Sequence, residues 1–194
     1  MKKAKKKKES ILSSSLIIFA RDGFYNAKMS DIANHAGIGT GTLYLYFENK
    51  EQILKELLVD IWTTVSDELI KINNKTKLSA SQKIRNSAKR IYELAKNKSQ
   101  IARMVLQEYA IWNDPSFEKL NNVMEITRNV LAKMIKDGID SGEFRPDIIP
   151  TLAVPFLIGA VWNFIEFSLQ NNNIYNDEIL LHQIQILVEN SFAK

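Results

Sequence analysis

The sequence predicts an all-α protein of about nine helices, in which an N-terminal three-helix unit built on a helix-turn-helix precedes a larger helical bundle. Three observations lead there. Apolar residues recur at helical spacing through most of the 194 residues. No stretch shows the period-two alternation of a half-buried strand. The short run "GIGTGTLYLYFENK" (37–50) sets two threonines and two tyrosines on a brief helix just after a glycine, more hydroxyls than a core face needs.

The first helix presents Ile11, Leu12, Leu16, Phe19 and Ala20 on one face and stops at Asp22-Gly23. A second, about 30–36, turns Ile32, Ala33 and Ala36 inward and breaks at Gly37; a third covers about 40–47. Asn49, with Gln52 three residues on, has the form of a capping box. It opens a long fourth helix through Ile53, Leu57 and Ile61 to about Ile70, and residues 73–81 read as a loop. The fifth helix takes Ile84, Ala88, Ile91 and Ala95. The sixth takes Ile101, Val105, Tyr109 and Trp112 and ends at Asn113-Asp114-Pro115. The seventh runs from about 116 to 141, where Gly142 closes it; the eighth covers about 150–170 and the ninth about 177–192.

Composition narrows the functions available. There is no cysteine, which excludes disulfides and thiolate metal sites, and His35 and His182 are the only histidines, so no metal site and no cofactor are expected. Residues 1–50 hold nine lysines and arginines against four acidic residues, whereas 51–194 hold 17 against 18. The excess sits in "KKAKKKK" (2–8), which reads as a basic flexible tail over residues 1–9, either solvated or touching an anionic partner. The apolar run after it is too short and too serine-rich for a signal peptide. No run reaches the ~18 apolar residues of a membrane span; "TLAVPFLIGAVW" (151–162) is shorter and holds Pro155. The expected compartment is the cytosol, with no membrane partner.

Two short helices joined by a glycine turn suit a helix-turn-helix, whose second helix enters the DNA major groove. Thr40, Thr42, Tyr44 and Tyr46 can bond phosphate oxygens or base edges, while Leu43 and Phe47 turn inward. Gly41 allows close approach of the backbone. Lys50, first in the fourth helix, can grip a phosphate together with the free N–H groups there. The alternative is that these aromatics only fill a small core.

Residues 11–54, "ILSSSLIIFARDGFYNAKMSDIANHAGIGTGTLYLYFENKEQIL", resemble the TetR family of bacterial transcriptional regulators. The resemblance is carried by Ile11, Leu12, Phe19, Gly23, Phe24, Ile32, Ala33, Ala36, Gly37, Gly41, Thr42, Leu43, Tyr44, Tyr46, Phe47, Lys50 and Glu51. It implies a DNA-binding domain over 10–54 and dimeric binding to a near-palindromic double-stranded operator. Ser30, Thr40, Gly41, Thr42, Tyr44, Tyr46 and Lys50 would make the contacts. Lys28 stands where the family often has threonine, and Gly39-Thr40 replaces a frequent Ser-Lys, removing a cation and a side-chain cap. Lys28 and the lysine tail are candidates to restore the phosphate attraction.

The resemblance further implies a ligand-binding and dimerisation domain over 55–194. The lipophilic effector would lie among Trp62, Ile91, Leu94, Met104, Leu106, Tyr109, Trp112, Met124 and Phe156, which could equally be plain core. The segment "RMVLQEYAIWNDPSF" resembles members that bind fatty-acyl or other lipophilic ligands. The eighth and ninth helices are apolar on most sides, so a second copy of the chain is their natural cover, and the family forms a four-helix bundle there. Asn163, Glu166 and Gln170 share one stripe, either a hydrated edge or, through Glu166, a counter-ion for a cationic ligand; Arg103 and Arg128 could serve an anionic one. The function expected is a ligand-responsive repressor, released from its operator by a small lipophilic ligand such as a fatty acyl-CoA or a drug-like compound, rather than an enzyme. A helical interaction module with a degenerate helix-turn-helix is the alternative. A bundle enzyme is disfavoured by the lack of a nucleophile motif, carboxylate–histidine clusters or a glycine-rich phosphate loop.

Overall fold

The computed structural model describes residues 2–97, 117–171 and 176–193. They form eight helices: α1 (Lys2–Asp22), α2 (Met29–His35), α3 (Thr40–Tyr44), α4 (Lys50–Asn73), α5 (Ala80–Asn97), α6 (Glu118–Asp140), α7 (Pro150–Gln170) and α8 (Asp177–Phe192). The only extended pairing among these residues is a single antiparallel bridge between Phe144 and Ala193. The described residues are therefore all-α, and the expected helix at about 101–112 lies outside them. They form two compact units, residues 2–61 with 117–120 and residues 62–97 with 121–171 and 176–193.

In the first unit α1 is longer than its apolar face suggested, because the lysine block continues the helix back to Lys2. The expected tail over 1–9 is thus helical from Lys2 onward. The buried stripe of α1 is Ile11, Ser14, Ser15, Ile18 and Phe19, with Leu12, Leu16 and Ala20 only half-buried. The two serines take the inward positions because their small side chains let neighbouring helices approach. The Ser15 hydroxyl donates to the Ile11 carbonyl at 2.8 Å and so needs no other partner. Phe19 meets Phe24 edge to face at 5.3 Å, joining the end of α1 to the turn before α2. Ile32, Ala33, Leu43, Phe47, Ile53, Leu54 and Leu58 complete this core.

The capping box at α4 is shifted by one residue from the expected form. Asn49 Oδ1 accepts from the Gln52 N–H at 2.8 Å, but the Gln52 side chain accepts from the Glu48 N–H at 2.7 Å.

The second unit is built on contacts of α5 with α7 and α8 and of α7 with α8. Ile84, Ala88 and Tyr92 of α5 face Val154, Leu157, Val161 and Ile165 of α7 and Leu180, Ile184 and Val188 of α8. Gly138 on α6 is required by space: a Cβ there would come within 2.2 Å of the Phe144 ring and 2.9 Å of Ala80 Cβ. Glu143 closes the start of α5 by accepting from the Ala80 and Ser81 N–H groups, each at 3.1 Å. Burial works to raise the Glu143 pKa, but these backbone N–H donors, with Ser79 and Ser141, outweigh it and hold the carboxyl below its ordinary value. A depressed folded pKa stabilises above the unfolded value of about 4.3 and loses that contribution as pH falls through the folded pKa. Glu143→Gln is therefore less stable than the parent at neutral pH, and the gap closes below about pH 4. Urea melts at the two pH values check this; a gap that persists in acid rules the carboxylate cap out.

By length and composition α7 could cross a membrane, although a third (33%) of its most apolar window is buried against protein. The apolar run itself is interrupted by Asn163 and Glu166, which are too few to lower the average of the window. Its buried residues, Val154, Leu157, Val161, Ile165, Ser168 and Leu169, follow the period of a helix with one side against a core.

Candidate functional site

Gly37 makes the helix-turn-helix turn. Its φ of +66° lies where an L side chain is strained, and the Ile38 N–H then donates back to the Ala33 carbonyl at 3.0 Å. Burial of Leu43 and Phe47 fixes which face of α3 turns outward. Thr40, Gly41, Tyr44 and Leu45 are exposed, and Thr42 and Tyr46 are half-buried. α3 ends at Tyr44, earlier than the expected Phe47. The Leu45 and Tyr46 N–H groups reach only three residues back, to Thr42 and Leu43, which tightens the last turn.

Lys28, Ser30, Thr40, Tyr44 and Lys50 line one shallow open cleft, together with Glu48 and Glu51. Five of the eight expected DNA-contact residues thus meet on one surface; Gly41, Thr42 and Tyr46 lie outside the cleft lining. Lys28 and Gly39 hold the N-cap positions of α2 and α3, and neither supplies a side-chain cap. A lysine at a helix N-terminus opposes the helix dipole by about 0.3–1 kcal/mol. Its exposed ammonium therefore sits where local stability argues against it and where a phosphate would reverse the sign. A Cβ at Gly41 would meet nothing within 4 Å, so this part of the helix surface is open to a backbone approaching from outside.

Lys50 departs from its expected role. Its ammonium donates to the carbonyls of Tyr25 (2.7 Å), Phe24 (2.9 Å) and Ala27 (3.3 Å) and stands 5.0 Å from the centre of the Phe24 ring. Three donors meet three acceptors, so the ammonium fastens the α1–α2 turn instead of offering hydrogen bonds to a phosphate. Lys50→Met is expected to cost about 1–3 kcal/mol of stability, because the carbonyls lose their donor. Chemical denaturation measures it, and an unchanged midpoint would show that the turn holds itself.

Sequence reasoning missed two exposed side chains here, Leu45 (84%) and Tyr25 (74%). A signal for Leu45 was present: with Leu43 and Phe47 inward, position 45 is on the opposite face.

In the second unit the expected effector-lining residues differ in burial. Trp62 is buried and tilted at 34° to Trp162, ring centres 6.5 Å apart. Ile91 and Leu94 on α5 and Met124 on α6 are half-buried. Phe156 is 59% exposed, so within this chain it lines no interior, because α7 turns Leu157 inward instead. Met104, Leu106, Tyr109 and Trp112, with Arg103, lie outside the described residues.

The α5 residue that sequence reasoning passed over is Tyr92. Its hydroxyl lies 2.7 Å from Ser168 Oγ and donates to Asp177 at 2.9 Å, while Lys96 pairs with Asp177 at 2.9 Å. Burial, with the Asp177 carboxylate, pushes the Tyr92 pKa up to about 12, so it stays a donor. Glu166 is exposed and accepts from Gln170 at 3.2 Å. His35, His182 and Arg128 are exposed too.

An apolar surface also remains exposed. Leu152 and Phe156 on α7 and Ile179, Ile186 and Leu187 on α8 are each between 36% and 66% exposed.

Residues 11–57 match the family pattern of bacterial regulatory proteins, tetR family. The chain is 26% identical over 180 residues to the fatty acid metabolism regulator protein of Bacillus subtilis, covering 91% of this chain and 90% of that one. It is 25% identical over 157 residues to the transcriptional repressor KstR2 of Mycolicibacterium smegmatis, covering 80% and 76%. The crystal structure of the transcriptional regulator FadR from Bacillus subtilis in complex with stearoyl-CoA superposes with a TM-score of 0.80 at 24% identity, over 93% of this chain and 96% of that one.

Proposed function

We propose that this chain is a repressor of the TetR type, to whose family pattern residues 11–57 match, and that it leaves its operator when a long-chain acyl ligand binds. The observation that carries the reading is the gathering of Lys28, Ser30, Thr40 and Tyr44 on one exposed face of the helix-turn-helix. Thr40 and Tyr44 hydroxyls donate to phosphate oxygens or base edges from α3, and Lys28 and Ser30 hold the adjoining phosphates from α2. The cytosol, where the DNA is, is the compartment this function needs.

The exposed face of α7 and α8 supports a homodimer. Two copies burying Leu152, Phe156, Ile179 and Leu187 against each other form a four-helix bundle, and a two-fold axis turns two recognition helices toward one near-palindrome. Half-sites about 34–36 Å apart then match one turn of DNA.

The likeness to a regulator of fatty acid metabolism supports a lipophilic effector. Its effect on DNA obeys linkage. A ligand that prefers the DNA-incompetent arrangement by a few kcal/mol lowers operator affinity by the same factor by which DNA lowers ligand affinity.

The test begins with a duplex selected by the protein from a random-sequence pool. The expected product is a near-palindrome, and stearoyl-CoA, but not coenzyme A alone, releases the protein from it. Failure to enrich any sequence would end the DNA reading. Enrichment without release by stearoyl-CoA would leave the regulator standing and remove the acyl effector. Native mass spectrometry of the same protein reports the dimer and any retained acyl mass.

A further inference from the structure

The helix-turn-helix unit lacks the charge that a DNA partner demands. Residues 9–61 hold four lysines and arginines against seven aspartates and glutamates. Three of those four cations are occupied. Arg21 is forked onto Asp22 at 2.7 Å, Lys50 is bound to three carbonyls, and Lys55 lies 4.6 Å over the Phe117 ring. Glu48 and Glu51 stand at the cleft itself. A duplex carries one negative charge per about 1.7 Å of its axis, and a net acidic surface is a poor match for it.

The missing cations are the six lysines of residues 2–8. α1 carries them as a helix that begins nine residues before its first buried side chain, Ile11. At 1.5 Å per residue this is an arm of about 14 Å. Lys5, Lys6 and Lys7 are exposed along it. Lys8 anchors its root: the ammonium is 2.6 Å from Glu56 and 5.5 Å from the centre of the Phe47 ring. Phe47 lies three residues beyond Tyr44, so the arm leaves the core beside the C-terminal end of α3. Its first turn contains no acidic residue to balance the helix dipole. The arm is therefore weak as an isolated helix and is strengthened by an anion laid along it.

We infer that residues 2–8 form a basic helical arm that binds DNA phosphates beside the half-site and supplies the electrostatic part of the affinity. This rests on the DNA-binding reading above. The arm sets how tightly and with what salt dependence the protein holds any duplex, while α3 sets which sequence it prefers.

The experiment compares the parent protein with Lys5→Gln/Lys6→Gln/Lys7→Gln, which leaves Lys8 and the core intact and keeps good helix formers in the arm. Binding to the selected duplex and to an unrelated duplex is measured across salt. Each phosphate contact contributes about 0.9 to the slope of log affinity against log salt. Loss of three contacts in each of two subunits flattens the slope by about 5, or about 10³-fold across about 50 to 200 mM salt. Both duplexes weaken by a similar factor, and the preference between them persists. The matching Lys→Arg variant keeps the parent slope. An unchanged slope in the glutamine variant overturns the arm while the parent protein still binds DNA. A parent that binds neither duplex overturns the regulator reading itself, and the arm with it.

Discussion

Thr40→Ala with Tyr44→Ala lowers operator affinity by about 10²- to 10³-fold, with no change in thermal midpoint. Both side chains are exposed, Tyr44 by 52%, and neither belongs to the core that holds α3 in place. Their removal therefore leaves the fold alone. A hydrogen bond to a charged group contributes about 1.5–3 kcal/mol. Water replaces part of that when the hydroxyl is gone, so the total loss stays below the simple product over two subunits. Lys50→Met is the contrasting variant. It loses stability first, because its ammonium ties the Phe24, Tyr25 and Ala27 carbonyls. If the double alanine variant binds the selected duplex as the parent does, α3 does not read this DNA. If it melts earlier, its hydroxyls belong to the core after all.

Phe156→Glu raises the dimer dissociation constant by about 10³-fold or more, and operator binding falls with it. Phe156 is 59% exposed in the single chain and stands one turn from Leu152, itself 66% exposed. An aromatic side chain at the middle of an interface commonly contributes about 2–4 kcal/mol, and a carboxylate buried without a partner adds a further penalty. The folded subunit tolerates the change because position 156 faces away from its core. Sedimentation across protein concentration reads the dissociation, and circular dichroism confirms the retained helix. A dimer that survives Phe156→Glu places the interface elsewhere. A monomer that still binds one full operator with parent affinity removes the need for the two-fold arrangement.

The helices at 150–170 and 177–192 were legible in the sequence, because Pro150 and a long apolar period mark them out. α3 and the root of α1 were not. A five-residue helix leaves too little period to show where the last turn tightens. Residues 2–8 have no apolar period, so nothing in the pattern separates a solvated tail from the first turns of a helix. The effector site was the least legible part. Trp62 and Phe156 look alike as apolar residues at helical spacing, yet one is buried and the other exposed, because periodicity gives the face of a helix and not what lies opposite.

The sequence by itself determined the all-helical class, the glycine turn at position 37, the inward set Leu43 and Phe47, and hence the outward threonine and tyrosine that a DNA reader needs. Each of these depends on neighbours a few residues apart, so local spacing carries them. Tertiary structure alone decided that Lys50 is a clamp, that Ser14 and Ser15 lie in the core, and that Tyr92, Ser168, Asp177 and Lys96 form one polar cluster. The clamp and the cluster depend on partners 23 to 85 residues away. A lysine or serine has the same composition and period whether water or a distant carbonyl receives its hydrogen bond, and only the packed chain brings that carbonyl within reach.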